Sequence, residues 1–175
     1  MDVTDAHQVS GAIEQVKPSW VINAVAITSV DGCEIDPELA RRVHVEGTRN
    51  LIEACEKLQC GLIHISTNYV FDGSQSQPYR ENDPPNPLNV YGRTKLESEA
   101  MVLRASCPAI VVRTAVLYGY HAESRINFVT WALGLLAKNQ TIRVVEDEWA
   151  NPTAVDELAD FLLRLPGSEF RGMIH

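Results

Sequence analysis

The sequence predicts an α/β fold built on a mainly parallel sheet, and three observations carry that expectation. Short β-branched runs alternate with longer amphipathic stretches, as βαβ units require. The residues of greatest chemical interest fall at the carboxyl ends of those runs, where open parallel sheets hold their ligands. Apolar residues make up 45% and charged residues 22% of 175 positions, which suits one globular domain with a real core.

Taken in order, Thr4 and Asp5 can cap a first helix whose apolar face is Val9, Ile13 and Val16, with "KPSW" ending it. "WVINAVA" (20–26) is apolar and β-branched, as a buried strand would be. Residues 36–59 open with Asp36 as cap and Pro37 at the first helical position, and predict one long helix. Its face is Leu39, Val43, Leu51, Cys55 and Leu58, with Gly47 allowing close approach. "GLIHIST" (61–67) is the next strand, followed by a polar, proline-rich loop too long for a mere connector. A helix then starts at "YGRTK" and runs to about Ser106. Residues 109–119 predict a strand, 127–139 a helix, 142–147 a strand and 155–165 a helix, and "GMIH" reads as a final strand.

The net charge of −8, with a pI near 5.1, argues against partners bound through phosphate neutralisation, so neither nucleic acid nor an anionic membrane is expected. Cys33, Cys55, Cys60 and Cys107 form no CxxC pair and no zinc spacing, so no metal site is expected and reduced thiols are the plain reading. The first residues lack a basic start followed by an apolar run, and no apolar stretch reaches spanning length, which makes cytoplasm the expected location.

Chemistry concentrates in "NVYGRTKLESEA" (89–100), where Tyr91 and Lys95 stand four residues apart on one helix face. Carbonyl reduction leaves an alkoxide that must be protonated. A free tyrosine, with a pKa of about 10, is a sluggish acid–base group near neutrality. A neighbouring ammonium is expected to lower it, and a hydroxyl from Thr67 or Ser66 to polarise the carbonyl. YxxxK alone also arises by chance. Its place between "STNYVFDG" and "RTAVLYG", at three converging strand ends, favours the functional reading.

Those segments, with "DVTD", "INAVA", "DPELARRVHVEGTRNLIEAC", "PYRENDPPNPLNVYGRTKLESE", "NFV" and "NPTAVDELA", resemble the extended short-chain dehydrogenases/reductases in order and spacing. Within that group they are most similar to the dTDP-4-dehydrorhamnose reductase family and its sugar-nucleotide-binding relatives. The resemblance implies a Rossmann-like sheet with helices on both faces. It implies NADP or NAD as cofactor, with no preference indicated, a nucleotide-sugar substrate, and a homodimer as one expected assembly. It implies a catalytic trio of Thr67, Tyr91 and Lys95. Asp2 and Val3 would contact the adenine. Asn23, Ala24, Val25, Ala26 and Ser66, together with Tyr91 and Lys95, would line the cofactor, and Thr114, Ala115 and Val116 would lie beside the nicotinamide. Asn68, Tyr69, Asn127, Trp149 and Pro152 would face the sugar.

The family's opening strand, glycine-rich turn and helix have no counterpart here. The ten glycines are scattered and no GxGxxG occurs. The expectation is therefore a single incomplete NAD(P)-binding domain over 1–175, lacking the first βαβ glycine-rich unit, with part of the substrate region from about 120 to 175. The chain then reads as the middle of a longer reductase of a nucleotide-linked 4-keto sugar.

Three positions depart from the family's pattern: Asn68 replaces an aspartate, His44 an asparagine, and Ala115-Val116 a Ser-Trp. They keep a rival reading open, a non-catalytic regulatory subunit resembling that of methionine adenosyltransferase. A sugar-nucleotide epimerase also remains, while a dehydratase is weaker because Asn68 and Tyr69 stand where its Asp-Glu pair is needed. Glu146, Asp147 and Glu148 read as a solvated strand end, Trp131 as core, and Arg80 and Glu81 as loop residues that either order over a ligand or stay exposed.

Overall fold

The computed structural model describes residues 1–121, 126–147 and 149–175. In chain order it contains α1 (Ala6–Val16), β1 (Trp20–Asn23), α2 (Val30–Ile35) and α3 (Pro37–Arg41), then a π-helical turn (Arg42–Glu46) and α4 (Gly47–Leu58). There follow β2 (Gly61–Thr67), a short 3-10 turn (Asn68–Val70), α5 (Val90–Val102) and β3 (Ala109–Thr114). The remainder is β4 (Leu117–Tyr118), α6 (Phe128–Leu136), β5 (Thr153–Ala154), α7 (Val155–Arg164) and β6 (Gly172–Ile174). The chain divides into two compact units, one of Met1–Arg113 with Pro166–His175 and one of Thr114–Leu165.

The first unit holds a four-stranded sheet in the order β1-β2-β3-β6. Strand β1 runs parallel to β2 with Asn23 opposite His64, and β3 parallel to β6 with Val111 opposite Met173. The expected α/β, Rossmann-like architecture is thus observed. Side chains alternate across a strand, so Val21 and Asn23, Leu62, His64 and Ser66, and Val111 and Arg113 share one face. Helices α4 and α5 pack on β2, and α1 packs on α4. The core gathers Val9 and Ile13 from α1, Leu51, Ile52 and Cys55 from α4, Val102 from α5, and Leu62 and Val111 from the sheet. Each such fully buried aliphatic side chain contributes about 1.5–3 kcal/mol. Along each strand the same face changes from apolar to polar toward the carboxyl end, and that gradient locates the site.

Local sequence explains most boundaries. Asp5 caps α1 by accepting from the His7 and Gln8 N–H groups, and Lys17 ends it in the left-handed region at φ 50°. Asp36 accepts from Leu39 N–H with Pro37 at the first position of α3. Gly47 permits the close approach expected of it, since a Cβ there would stand 2.8 Å from Val3 Cγ2.

Several expectations are corrected. The helix over 36–59 forms from Pro37 to Leu58 but is not α-helical throughout, because the π turn inserts an extra residue between α3 and α4. Val16 is 72% and Leu39 36% exposed, so neither belongs to the core. The first strand stops at Asn23 rather than residue 26, and α5 ends at Val102, four residues before Ser106. Residues 109–119 split into β3 and β4, and β4 pairs with β5 in a separate two-stranded sheet. No strand forms over 142–147, where Val144 and Val145 are exposed; a β-branched run needs a hydrogen-bonding neighbour, and none pairs with it among the described residues. Trp131 is exposed too, and α6 has no buried residue. Glu146 and Asp147 are exposed, while Glu148 lies outside the described residues. Arg80 and Glu81 are exposed.

Candidate active site

Strand β2 delivers Ser66 and Thr67 at its carboxyl end, and the helix α5 presents Tyr91 and Lys95 beside them. Asn89 caps α5 by accepting from Gly92 N–H at 2.7 Å. Gly92 fixes the approach. A Cβ at this position would lie 2.2 Å from the Tyr69 carbonyl oxygen, so only glycine lets the first turn of α5 lie against the turn that follows Thr67. Tyr91 is thereby brought near Thr67, whose hydroxyl favours the ionised phenol. The Thr67 hydroxyl also accepts from Tyr69 N–H at 3.2 Å and faces Asn68 Oδ1 at 3.4 Å.

The Tyr91 ring is held edge-on between two aromatics, His44 at 5.6 Å and Tyr69 at 5.7 Å. His44 lies in the π turn and is buried. Its Nε2 accepts from Ile27 N–H at 2.9 Å, so Nδ1 carries the ring proton and donates to Thr94 Oγ1 at 2.7 Å. Burial, with Lys95 nearby, lowers its pKa to about 4. A neutral imidazole therefore ties the segment after β1 to α5 in the first unit.

Lys95 is 2% exposed. Its Nζ donates to the Ile65 carbonyl at 2.7 Å and stands 3.3 Å from His64 Nε2. Burial lowers its pKa to about 8, against the pull of Glu99. The expectation of a phenol lowered by Lys95 is corrected. Burial pushes the Tyr91 phenol up, with only the nearby Thr67 hydroxyl opposing, because Nζ is turned to Ile65 and His64 instead. At neutral pH Tyr91 is a protonated phenol, the form that can give a proton away.

Beneath this row lies a second set that sequence patterns did not single out. Glu99 accepts from Ser66 Oγ at 2.5 Å and from Arg113 Nε and Nη2 at 2.9 and 2.7 Å. All three are buried. Arg113 also stacks over the Phe71 ring at 5.0 Å. A Glu one helical turn beyond the lysine, and an Arg at a strand end, were the available signals. Each reads as a surface charge until its partner is known.

The other expected residues are placed as follows. Asp2 is exposed and accepts from Thr4, while the Val3 side chain is buried in the core, leaving only its backbone for a ligand. Asn23 turns inward to Thr48, His64 and Val25 N–H, and Ala24 and Val25 are exposed beyond it. Asn68 and Tyr69 are exposed beside Thr67. Thr114, Ala115, Val116, Asn127, Trp149 and Pro152 belong to the second unit. There Asn127 caps α6 and donates to Gly119 O at 2.6 Å, and Trp149 is 93% exposed. No group of three metal-ligating side chains occurs among the described residues, and no described helix is long and apolar enough to cross a membrane.

The model of the RmlD substrate binding domain matches residues 1–174. A dTDP-4-dehydrorhamnose reductase of Streptomyces griseus is 40% identical over 98% of this chain and 56% of its own length. A dTDP-4-keto-6-deoxy-D-glucose reductase of Streptomyces niveus is 34% identical over 100% of this chain and 60% of its own. Among solved structures, a dTDP-4-dehydrorhamnose reductase of Bacillus anthracis in complex with NADP superposes with a TM-score of 0.94 at 32% identity, covering 100% of this chain and 61% of that one. The chain thus spans somewhat over half the length of the relatives it matches.

Proposed function

The chain belongs to the RmlD substrate binding domain family, and on that premise we propose that it carries the proton-donating centre of an NAD(P)H-dependent reductase of a nucleotide-linked 4-keto sugar. The observation that carries the reading is a protonated Tyr91 on the first turn of α5 near Thr67, with a buried Lys95 one turn further along the same helix. The relatives bearing reductase names support it. The regulatory reading is not favoured, since the relatives named are reductases.

The residues fit a nicotinamide dinucleotide at one end. The exposed backbone after β1, at Ala24 and Val25, and the buried Lys95 with its polar surroundings would hold the ribose and nicotinamide. That group, when bound, supplies the hydride. Thr67 orients the carbonyl oxygen through its hydroxyl. Tyr91 gives its phenolic proton to the oxygen as negative charge develops there, so one O–H bond breaks and one forms. Thr114, Ala115 and Val116, the second unit's Asn127, Trp149 and Pro152, and a cytoplasmic homodimer remain part of this proposal.

The test is oxidation of NADPH or NADH with a dTDP-4-keto-6-deoxy sugar. It is run on the chain itself and on the Streptomyces griseus relative in which this chain replaces the matched segment. Tyr91→Phe should cut the rate by on the order of 10²–10⁴ without changing the melting temperature. A folded chimera that retains full activity as Tyr91→Phe would remove Tyr91 from the chemistry.

A further inference from the structure

The hydrogen bonds around His64 have one self-consistent assignment, and it has a chemical consequence. Val25 N–H is an obligate donor 3.1 Å from the Asn23 side chain, so the atom it meets is Oδ1. Asn23 Nδ2 therefore points the other way, as a donor 3.3 Å from Thr48 Oγ1 and 3.1 Å from His64 Nδ1. Nδ1 is thus an acceptor. A neutral imidazole has one proton, so His64 carries it on Nε2. That Nε2–H faces Lys95 Nζ at 3.3 Å.

An ammonium has three donors and no lone pair. Facing Nε2–H it would make a donor–donor contact in a buried place, where an unmade hydrogen bond is costly. An amine removes the conflict. Its lone pair accepts from His64 Nε2–H, and one of its own N–H groups still donates to the Ile65 carbonyl at 2.7 Å. We infer that Asn23 locks His64 as an Nε2–H donor and that His64 in turn holds Lys95 as a neutral amine in the ligand-free site, which makes His64 a positioning residue for the proton chemistry.

Of the other charged and titratable groups around Lys95, one opposes this arrangement. Glu99, one turn along α5, pulls toward the ammonium, although its oxygens are committed to Arg113 and Ser66. His44 of the π turn is neutral, with both ring nitrogens engaged. Tyr91 is a phenol, and Tyr69 meets Tyr91 rather than Lys95. Glu97 and Arg41 pair with each other on the exposed side. Burial lowers Lys95 to about 8, and the His64 N–H pushes in the same direction.

Its use in turnover rests on the reductase reading. Once Tyr91 has given its proton to the product oxygen, the phenolate regains one from solvent hydronium, which gives up an O–H bond and leaves as water while the Tyr91 O–H re-forms. With Lys95 held as an amine, no fixed cation beside the phenolate holds that return back.

The protonation state itself can be read without turnover, by nitrogen and carbon NMR on the full chain labelled at histidine and lysine. The expected result is a His64 ring protonated on Nε2 and bare on Nδ1, with Lys95 titrating below about 7, so that the amine predominates at neutral pH, whereas burial against the pull of Glu99 lowers it only to about 8. His64→Phe, which removes the donor, should raise the Lys95 midpoint by about one unit, a tenfold gain in proton affinity. A His64 proton on Nδ1, or a wild-type Lys95 midpoint at or above about 7, overturns the inference. If His64→Phe fails to fold, the wild-type spectrum alone decides. A chain without reductase activity that shows the Nε2 tautomer and the low midpoint would sink the functional proposal and leave this one standing.

Discussion

Helices α5 and α6 begin alike and reach opposite environments. Each is opened by an asparagine whose side chain accepts from the backbone three residues on, Asn89 from Gly92 and Asn127 from Thr130. The first, VYGRTKLESEAMV, is polar at most positions, yet it buries Thr94, Lys95, Ser98 and Glu99. The second, FVTWALGLL, is apolar almost throughout, yet none of its residues is buried. Phe128, Leu133 and Leu136 are all more than half exposed. Burial here follows the availability of a partner. Every buried polar group on α5 meets one: Lys95 the Ile65 carbonyl, Ser98 the His44 carbonyl, Glu99 the Arg113 guanidinium. The apolar side chains of α6 find no enclosing surface among the described residues.

The contrast breaks most sharply at Glu99. Glu99→Ala leaves the Arg113 guanidinium buried without its carboxylate, and the expected loss is about 3–5 kcal/mol in a urea titration. A loss below about 1 kcal/mol would mean that apolar contacts hold α5 and the network is incidental.

A second test uses pH. Burial depresses the His44 pKa from 6.5 to about 4, so the unfolded chain binds a proton in that window and the folded one does not. No cost exists above pH 6.5. It grows as pH falls toward about 4, to on the order of 2–3 kcal/mol, and His64, also held well below 6.5 by burial, adds its own cost over the same window. Melting temperature followed between these limits should fall with pH, and His44→Asn should flatten much of the slope. An unchanged slope in that variant would transfer the effect to other groups. The smallest effect is expected on α6, where Leu133→Gln should alter stability by no more than about 0.5 kcal/mol. A larger loss would show that the helix is covered in solution.

What could be read from the sequence divides along the same line. The alternation of strands with helices, the helix starts at Asp5 and Asp36, and the placing of Tyr91 and Lys95 on one helix are local features, set by spacing and capping. His64, Glu99 and Arg113 were missed because their meaning is non-local. Lys95 and His64 are 31 residues apart, and Glu99 and Arg113 are 14. Read singly, a charge signals solvent and an apolar β-branched run signals a strand, which is how 142–147 and Trp131 misled. The lowered phenol expected for Tyr91 failed for the same reason, since helical spacing puts Lys95 on the right face but does not say where its N–H groups go.

The π turn between α3 and α4 also fixes a rotational phase. Gly47 N–H donates to the Arg42 carbonyl five residues back, one more than an α-helix uses. Each helical residue turns the chain by about 100°. Removing one residue from 42–46 would restore an unbroken helix and swing α3 by about that angle relative to α4. Ala40, now buried, would be carried off its present face, and Arg41 would leave both Glu46 and Glu97. In this stretch of the chain a change of length is therefore graver than a change of residue.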